Sequence, residues 1–176
     1  MRYLTSSLIG WAGLLCLLLQ VASCTDKSVQ AVDTTAIYNL YFTRHTEKIP
    51  GDDHDPGLTI IGQRRADNLA AFLADKNITA IYSTDYKRTR FTAGPTAKQK
   101  KLVVTHYKPS NLSVLIEKLK LNRQNVLIVG HSNTTPMGVR LAGGQAPSID
   151  DDEYGQLFEV TIGLNGVQTE IHLIGR

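Results

Sequence analysis

Tyr41-Phe42-Thr43-Arg44-His45-Thr46-Glu47 is the stretch that decides the fold, because it sets an Arg-His pair where an apolar strand ends. Ile37 to Phe42 reads as a buried strand. The residues from Glu47 to Gly57 are polar and rich in Asp, Gly and Pro, so the chain leaves the sheet there. In open α/β sheets, ligands bind in the crevice at the carboxyl ends of the strands. A guanidinium beside an imidazole at such a point suits a phosphoryl group, since it sets a fixed fork of donors next to a nitrogen nucleophile.

Working outward, the chain has 176 residues, enough for one domain with a sizeable core. The net charge is only +3 and no basic block is present, which argues against a nucleic-acid partner. Lys98, Lys100 and Lys101 form the densest basic patch and read as a solvated helix end.

The first residues read as an address. Arg2 supplies a positive start, Leu8 to Leu19 an apolar run, and Val21-Ala22-Ser23-Cys24 a small-residue cleavage site. A Cys directly after small residues resembles the bacterial lipoprotein signal, in which that Cys carries the lipid. The expectation is therefore a signal over residues 1–23, a lipidated Cys24 with a polar tether over 24–36, and a domain over 37–176. Cys16 would leave with the signal, so the mature chain would hold no disulfide. Thr25, not Asp, follows the Cys, which resembles the outer-membrane default of enteric-type bacteria. The expected location is the cell envelope, facing the periplasm.

The remaining sequence alternates strand and helix signals. Thr59 is a cap for a helix to about Asp75, with Ala66, Leu69, Ala70 and Leu73 on one face. Ile78–Tyr82, Leu102–Thr105 and Val126–Val129 read as short strands. Asp85–Ala97, the stripe Leu112, Leu115, Ile116 and Leu119, and Thr134–Leu141 read as helices. Leu157–Leu164 and Val167–Ile174 alternate and are joined by Asn165-Gly166, a hairpin signal. This order predicts a three-layer α/β/α sandwich with a mostly parallel sheet and a C-terminal antiparallel hairpin.

Three strand ends carry unusual chemistry: Arg44-His45, then Ser83-Thr84-Asp85-Tyr86-Lys87-Arg88, then Gly130-His131-Ser132-Asn133. In a parallel sheet all three open on one edge, which brings two Arg and two His together. With Leu58-Thr59, Gly62, Arg65-Ala66 and Thr92-Ala93 at their spacings, the chain resembles the histidine phosphatase superfamily, the phosphoglycerate-mutase-like fold. Its short form is similar to the phosphohistidine phosphatase branch.

The resemblance implies that His45 is a nucleophile forming a phosphohistidine. Arg44, Arg88 and His131 would hold the phosphoryl oxygens, with Thr46, Ser132 and Asn133 as further phosphate contacts. Ser132 and Asn133 also read as helix caps. Lys87 and Arg90 compete with Arg88, but the motif register favours Arg88. Arg65 reads as an ion-pair partner and Tyr154 as a core residue. No cofactor and no metal are expected, because two Arg supply the positive field. The acidic stretch Asp52-Asp53-His54-Asp55 reads as a solvated loop rather than a cation site, and Asp150–Glu153 as a polar loop.

The chain departs from its relatives at the proton donor. The third strand is followed by Thr105-His106-Tyr107-Lys108, with no carboxylate. Glu47, Asp53, Asp55 and Asp85 remain as candidates. The expected activity is hydrolysis of small-molecule or envelope phosphomonoesters. The alternative is an envelope lipoprotein that binds a phosphorylated ligand with little turnover. The membrane would be reached only through the lipid on Cys24. Mass spectrometry of membrane-extracted protein is expected to show acylated Cys24; an unmodified thiol there would remove the anchor.

Overall fold

The computed structural model describes residues 35–51 and 54–176. The signal segment, Cys24, the tether to residue 34, Asp52 and Asp53 lie outside the described residues. Among the described residues no helix is long and apolar enough to cross a membrane.

Six strands form one sheet in the order β3-β2-β4-β1-β5-β6. They are β1 (Tyr38–Arg44), β2 (Ala80–Ser83), β3 (Val104–His106), β4 (Val126–Gly130), β5 (Gln156–Gly163) and β6 (Gly166–Leu173). The first four are mutually parallel, while β5 runs antiparallel to β1 and β6 antiparallel to β5. The helices are α1 (Ile60–Phe72), α2 (Lys87–Lys100), α3 (Leu112–Asn122) and α4 (Thr134–Leu141). Strand alternation sends Leu40, Phe42, Val126 and Ile128 into a core with Leu112, Ile116 and Leu119 of α3 and Val139 of α4. Tyr41, Leu127 and Val129 go to the opposite face, against Leu69 of α1 and Ala93 and Ala97 of α2. The domain is thus a three-layer α/β/α sandwich.

Local sequence explains most element ends. Thr59 caps α1, its hydroxyl accepting from the Gly62 N–H at 3.0 Å. The first strand runs two residues beyond Phe42, because Thr43 and Arg44 continue the ladder with Val129 and Gly130. The second helix starts later than expected and continues past Ala97 to Lys100, closed by Lys101 in the left-handed conformation. The hairpin differs in register. Gly163 pairs with Gly166, so the loop is Leu164-Asn165 and not Asn165-Gly166. Gly166 takes φ +110° just after it, the place of a bulge glycine.

His172 lies on β6, away from the crevice, its Nε2 2.8 Å from Glu159 Oε2; Tyr41 donates to the other oxygen of that carboxylate at 2.8 Å. A buried carboxylate is tolerated when both oxygens are so engaged.

One glycine fixes how the Arg-His loop sits on α1. A Cβ on Gly62 would come 2.3 Å from the Glu47 carbonyl oxygen, a backbone atom that cannot turn aside. On a free helix surface Ala is preferred over Gly by about 1 kcal/mol. Gly62→Ala is nevertheless expected to destabilise the domain by about 2 kcal/mol, read by thermal unfolding. Gly94→Ala, where nothing lies within 4 Å, is expected to leave the midpoint unchanged or raise it.

Candidate active site

The three chemically loaded turns open on one edge because β1, β2 and β4 are parallel neighbours. Arg44 stands opposite Gly130 in the β1–β4 ladder, so His45 and His131 each follow the same rung. The His45 N–H donates to the Gly130 carbonyl at 3.0 Å, and the two rings meet edge to face with centroids 5.6 Å apart.

His45 is only 4% exposed. Its Nδ1 lies 2.8 Å from the Thr46 carbonyl oxygen. A carbonyl only accepts, so Nδ1 carries the proton and Nε2 keeps its lone pair. Burial pushes the ring from its ordinary 6.5 down to about 3; the Thr46 carbonyl opposes this, and the charges of Arg44, His131 and Arg88 add to it. The ring is therefore neutral with a bare Nε2, the form that attacks phosphorus. His131 is lowered to about 4, again by burial first and then by Arg88 and Arg44.

Arg44 is buried and tightly held. Its Nη1 donates to the carbonyls of Asp150 and Glu153 at 2.8 and 2.9 Å, and its guanidinium lies over Tyr154 at 4.4 Å. Its Nε is buried with no hydrogen-bond partner among the described residues. A buried donor left in that state is costly and fits a site that awaits an acceptor. Arg88 stacks on Tyr86 at 4.4 Å, with Asp55 Oδ1 3.8 Å from its Nη1. Successive residues on a helix point about 100° apart. That rotation brings Arg88 to the crevice, while Arg90 turns outward to pair with Asp85 at 3.1 Å and Lys87 is exposed. Tyr86, Arg88, Pro109, His131, Asn133 and Thr134 line a cavity at this edge. A broader groove against β6, lined by Gly143–Pro147 and Val167–Thr169, carries no titratable side chain.

The other predicted residues divide. Asn133 faces the cavity but makes no side-chain cap bond to α4, and Ser132 donates to Asp151 Oδ1 at 3.3 Å, so neither caps the helix. Thr46 is engaged within the protein: its hydroxyl donates to the Gly62 carbonyl at 2.8 Å, and its N–H donates to Thr92 Oγ1 at 3.0 Å. It ties the Arg-His loop to α1 and α2. Glu47 is engaged by Arg65, which donates from Nε and Nη2 at 2.6–3.2 Å and from Nη1 to the Ile174 carbonyl. Burial alone would raise the Glu47 carboxyl, but the Arg65 hydrogen bonds and charge bring it below the usual range. A carboxylate held ionised in this way is a poor proton donor. Asp85 is spent on Arg90, with His106 Nδ1 4.0 Å away. Asp55 stands beside Arg88, 3.8 Å from its Nη1, and accepts from the Lys87 N–H at 2.8 Å.

Four site residues escape a sequence reading. Tyr154 is not core: its ring covers Arg44 and sits 6.1 Å from His45. Asp151 approaches Arg44 Nη2 at 3.8 Å. Both come from the loop before β5, and no local pattern marks them. Thr84 and Tyr86 lie within the second motif and were legible only as its neighbours. Thr84 Oγ1 is 2.9 Å from His131 Nε2, and the Tyr86 ring meets His131 edge on at 5.2 Å.

Residues 40–109 match the family model described as histidine phosphatase superfamily (branch 1). Over that stretch the chain is similar to the histidine phosphatase superfamily. No curated protein matches the sequence. Solved structures share the fold of this domain. A protein from Nakamurella multipartitia assigned as the phosphohistidine phosphatase SixA is 17% identical, with TM-score 0.60 over 81% of this chain and 100% of that one. The protein histidine phosphatase SixA with bound tungstate is 14% identical, with TM-score 0.59 over 76% and 94%. A mycobacterial glucosyl-3-phosphoglycerate phosphatase is 11% identical, with TM-score 0.58 over 80% and 99%. At such identities the likeness establishes the fold.

The two lowered imidazoles make stability depend on pH. Their folded values lie below the unfolded one, so the unfolded chain binds more protons between pH 6.5 and 5 and stability must fall as pH falls. The slope is about 1.4 kcal/mol per pH unit for a fully buried ring and less for the partly exposed His131. Urea unfolding at a series of pH values is expected to show this decline, and His45→Gln to flatten it.

Proposed function

We propose that this domain is a metal-independent phosphatase that hydrolyses phosphomonoesters through a phosphohistidine on His45, and that it works in the cell envelope, tethered by lipid on Cys24. The observation that carries the reading is His45 itself: a buried, neutral imidazole with Nδ1–H tied to the Thr46 carbonyl, set among Arg44, Arg88 and His131. The phosphatase activities named for structures of the same fold support it.

In this mechanism Nε2 of His45 attacks phosphorus in line. The P–N bond forms as the ester P–O bond breaks, and the leaving oxygen takes a proton. Water then attacks phosphorus, the P–N bond breaks, and inorganic phosphate and the neutral ring are restored. Arg44 and Arg88 hold the equatorial oxygens, where charge is spread in the transition state, and His131 holds another. The buried Nε of Arg44 gains the acceptor it lacks.

The engaged carboxylates bear on substrate choice. With Glu47 held by Arg65 and Asp85 by Arg90, neither is free to protonate an alkoxide. Asp55, beside Arg88, is the described candidate that remains; general acid catalysis is worth roughly 10²–10⁴-fold, so unless Asp55 supplies the proton the enzyme favours activated esters over plain alkyl phosphates. The same observation favours a second reading, a lipoprotein that binds a phosphorylated ligand with little turnover.

Hydrolysis of an activated aryl phosphate in the presence of EDTA separates the readings. Wild type is expected to turn over, and His45→Ala to lose at least about 10³-fold in kcat. Equal rates in both would remove the His45 mechanism. Loss of wild-type activity on adding EDTA would remove its metal independence. Phosphate binding by wild type without turnover would establish the second reading.

A further inference from the structure

The hydrogen bonds around Thr84 specify the tautomer of His131. Thr84 is fully buried just past the end of β2. Its hydroxyl oxygen lies 3.0 Å from Thr89 Oγ1 and 2.9 Å from His131 Nε2. Thr89 Oγ1 in turn lies 2.8 Å from the Thr84 carbonyl and 3.0 Å from the Tyr86 carbonyl. Carbonyl oxygens only accept, so the single Thr89 hydroxyl proton points to one of them. The contact between the two hydroxyls then uses the Thr84 proton. Thr84 can meet His131 only as an acceptor, which requires the hydrogen on Nε2.

A neutral imidazole has one N–H, so Nδ1 is bare. That nitrogen makes no hydrogen bond among the described residues, and the ring lines the cavity beside Arg88. An anionic oxygen arriving there meets a lone pair and is repelled until the nitrogen is protonated.

Given the reading of Arg44, His45, Arg88 and His131 as a phosphoryl site, we propose that Thr84, backed by Thr89, is a positioning residue: it holds His131 as the Nε2–H tautomer, so that an anion enters the site together with one proton bound at His131 Nδ1. The proton comes from solvent, or from the ligand when it arrives as a monoanion, and no other bond breaks. The groups around the ring agree. The guanidinium groups of Arg44 and Arg88 act on it, the His45 ring lies at 5.6 Å and the Tyr86 ring at 5.2 Å. Asp151 and Asp55 stand 3.8 Å from Arg44 and Arg88, respectively. Burial, and after it the charges of Arg88 and Arg44, lower the ring to about 4 and keep it neutral. A bound anion supplies the negative charge that an imidazolium needs. A phosphoryl group would then be held by an ionised donor, roughly twice as strong as a neutral one.

The test uses the full chain with ¹⁵N-labelled histidine and sulfate, which is dianionic throughout and carries no proton of its own. In the absence of sulfate, His131 is expected to be protonated on Nε2 alone; with saturating sulfate, on both nitrogens. The apparent Kd for sulfate should weaken about tenfold per pH unit between pH 6 and 8. Thr84→Val keeps the shape without the acceptor and should give mixed tautomers and a shallower pH dependence, while Thr84→Ser should behave as wild type. If Thr84→Val does not fold, Thr89→Val serves, since it frees the Thr84 proton to face His131 and should move the ring hydrogen to Nδ1. A free-state ring carrying its hydrogen on Nδ1, a neutral ring in the sulfate complex, a proton taken up by His45 instead, or a Thr84→Val variant indistinguishable from wild type would each overturn the proposal. No readout uses turnover. A catalytically dead chain with the Nε2–H tautomer would sink the phosphatase reading and leave this one; an active chain without that tautomer would do the reverse.

Discussion

The parallel pairing of β1 with β4 governs everything at the edge that carries the candidate site. Its last rung sets Arg44 against Gly130, so two histidines far apart in sequence leave the sheet side by side. A slip of one residue would turn every side chain of β1 to the other face and bury the chemistry in the wrong layer. Leu40 and Phe42 packing on the α3–α4 side, and Tyr41 on the α1–α2 side, hold that register by hydrophobic burial. Gly130 completes it. A Cβ there would come 2.5 Å from the Thr134 hydroxyl, the same group that accepts from the His131 N–H at 2.8 Å. A larger residue at the strand end would displace the Thr134 hydroxyl from the first turn of α4.

On that frame the site concentrates positive charge without neutralising it. Arg44 is gripped by two carbonyls and a tyrosine face, and Arg88 lies on another tyrosine face. Carbonyl oxygens and aromatic rings orient a guanidinium while leaving its net charge intact. Asp151 and Asp55 stand off at 3.8 Å, close enough to steady the two guanidinium groups yet without a close hydrogen-bonded pair to them. The acid groups that do pair closely, Glu47 with Arg65 and Asp85 with Arg90, engage other arginines. Burial first, and then the same positive field, keeps both imidazoles neutral, which is what a nitrogen nucleophile requires.

Much of this was legible in the chain. The β–α alternation, the Thr59 cap, the apolar strand Val126–Val129 and the Arg-His pair follow from patterns within a few residues of one another. The choice of Arg88 over Lys87 and Arg90 was readable from motif register, and helix rotation gives its physical reason. What the sequence does not show has a common cause. Thr46, expected as a phosphate contact, has its hydroxyl and its N–H claimed by α1 and α2. Tyr154 looked like core because nothing beside it in sequence shows that the loop folds over Arg44. The hairpin loop moved by one residue because Gly166 serves as a bulge glycine with φ +110° and not as the second loop position.

The sequence by itself determined which elements form, in what order, and which reactive side chains stand at the ends of three strands, because periodicity, capping and turn chemistry act over a few residues. Only the tertiary structure decided what those side chains are able to do. Which histidine nitrogen carries the proton, which carboxylates are already engaged and which arginine retains an unpartnered donor are set by burial and by hydrogen bonds between residues distant in the chain. Such contacts are strong only where water is excluded, and exclusion of water is a property of the packed layers.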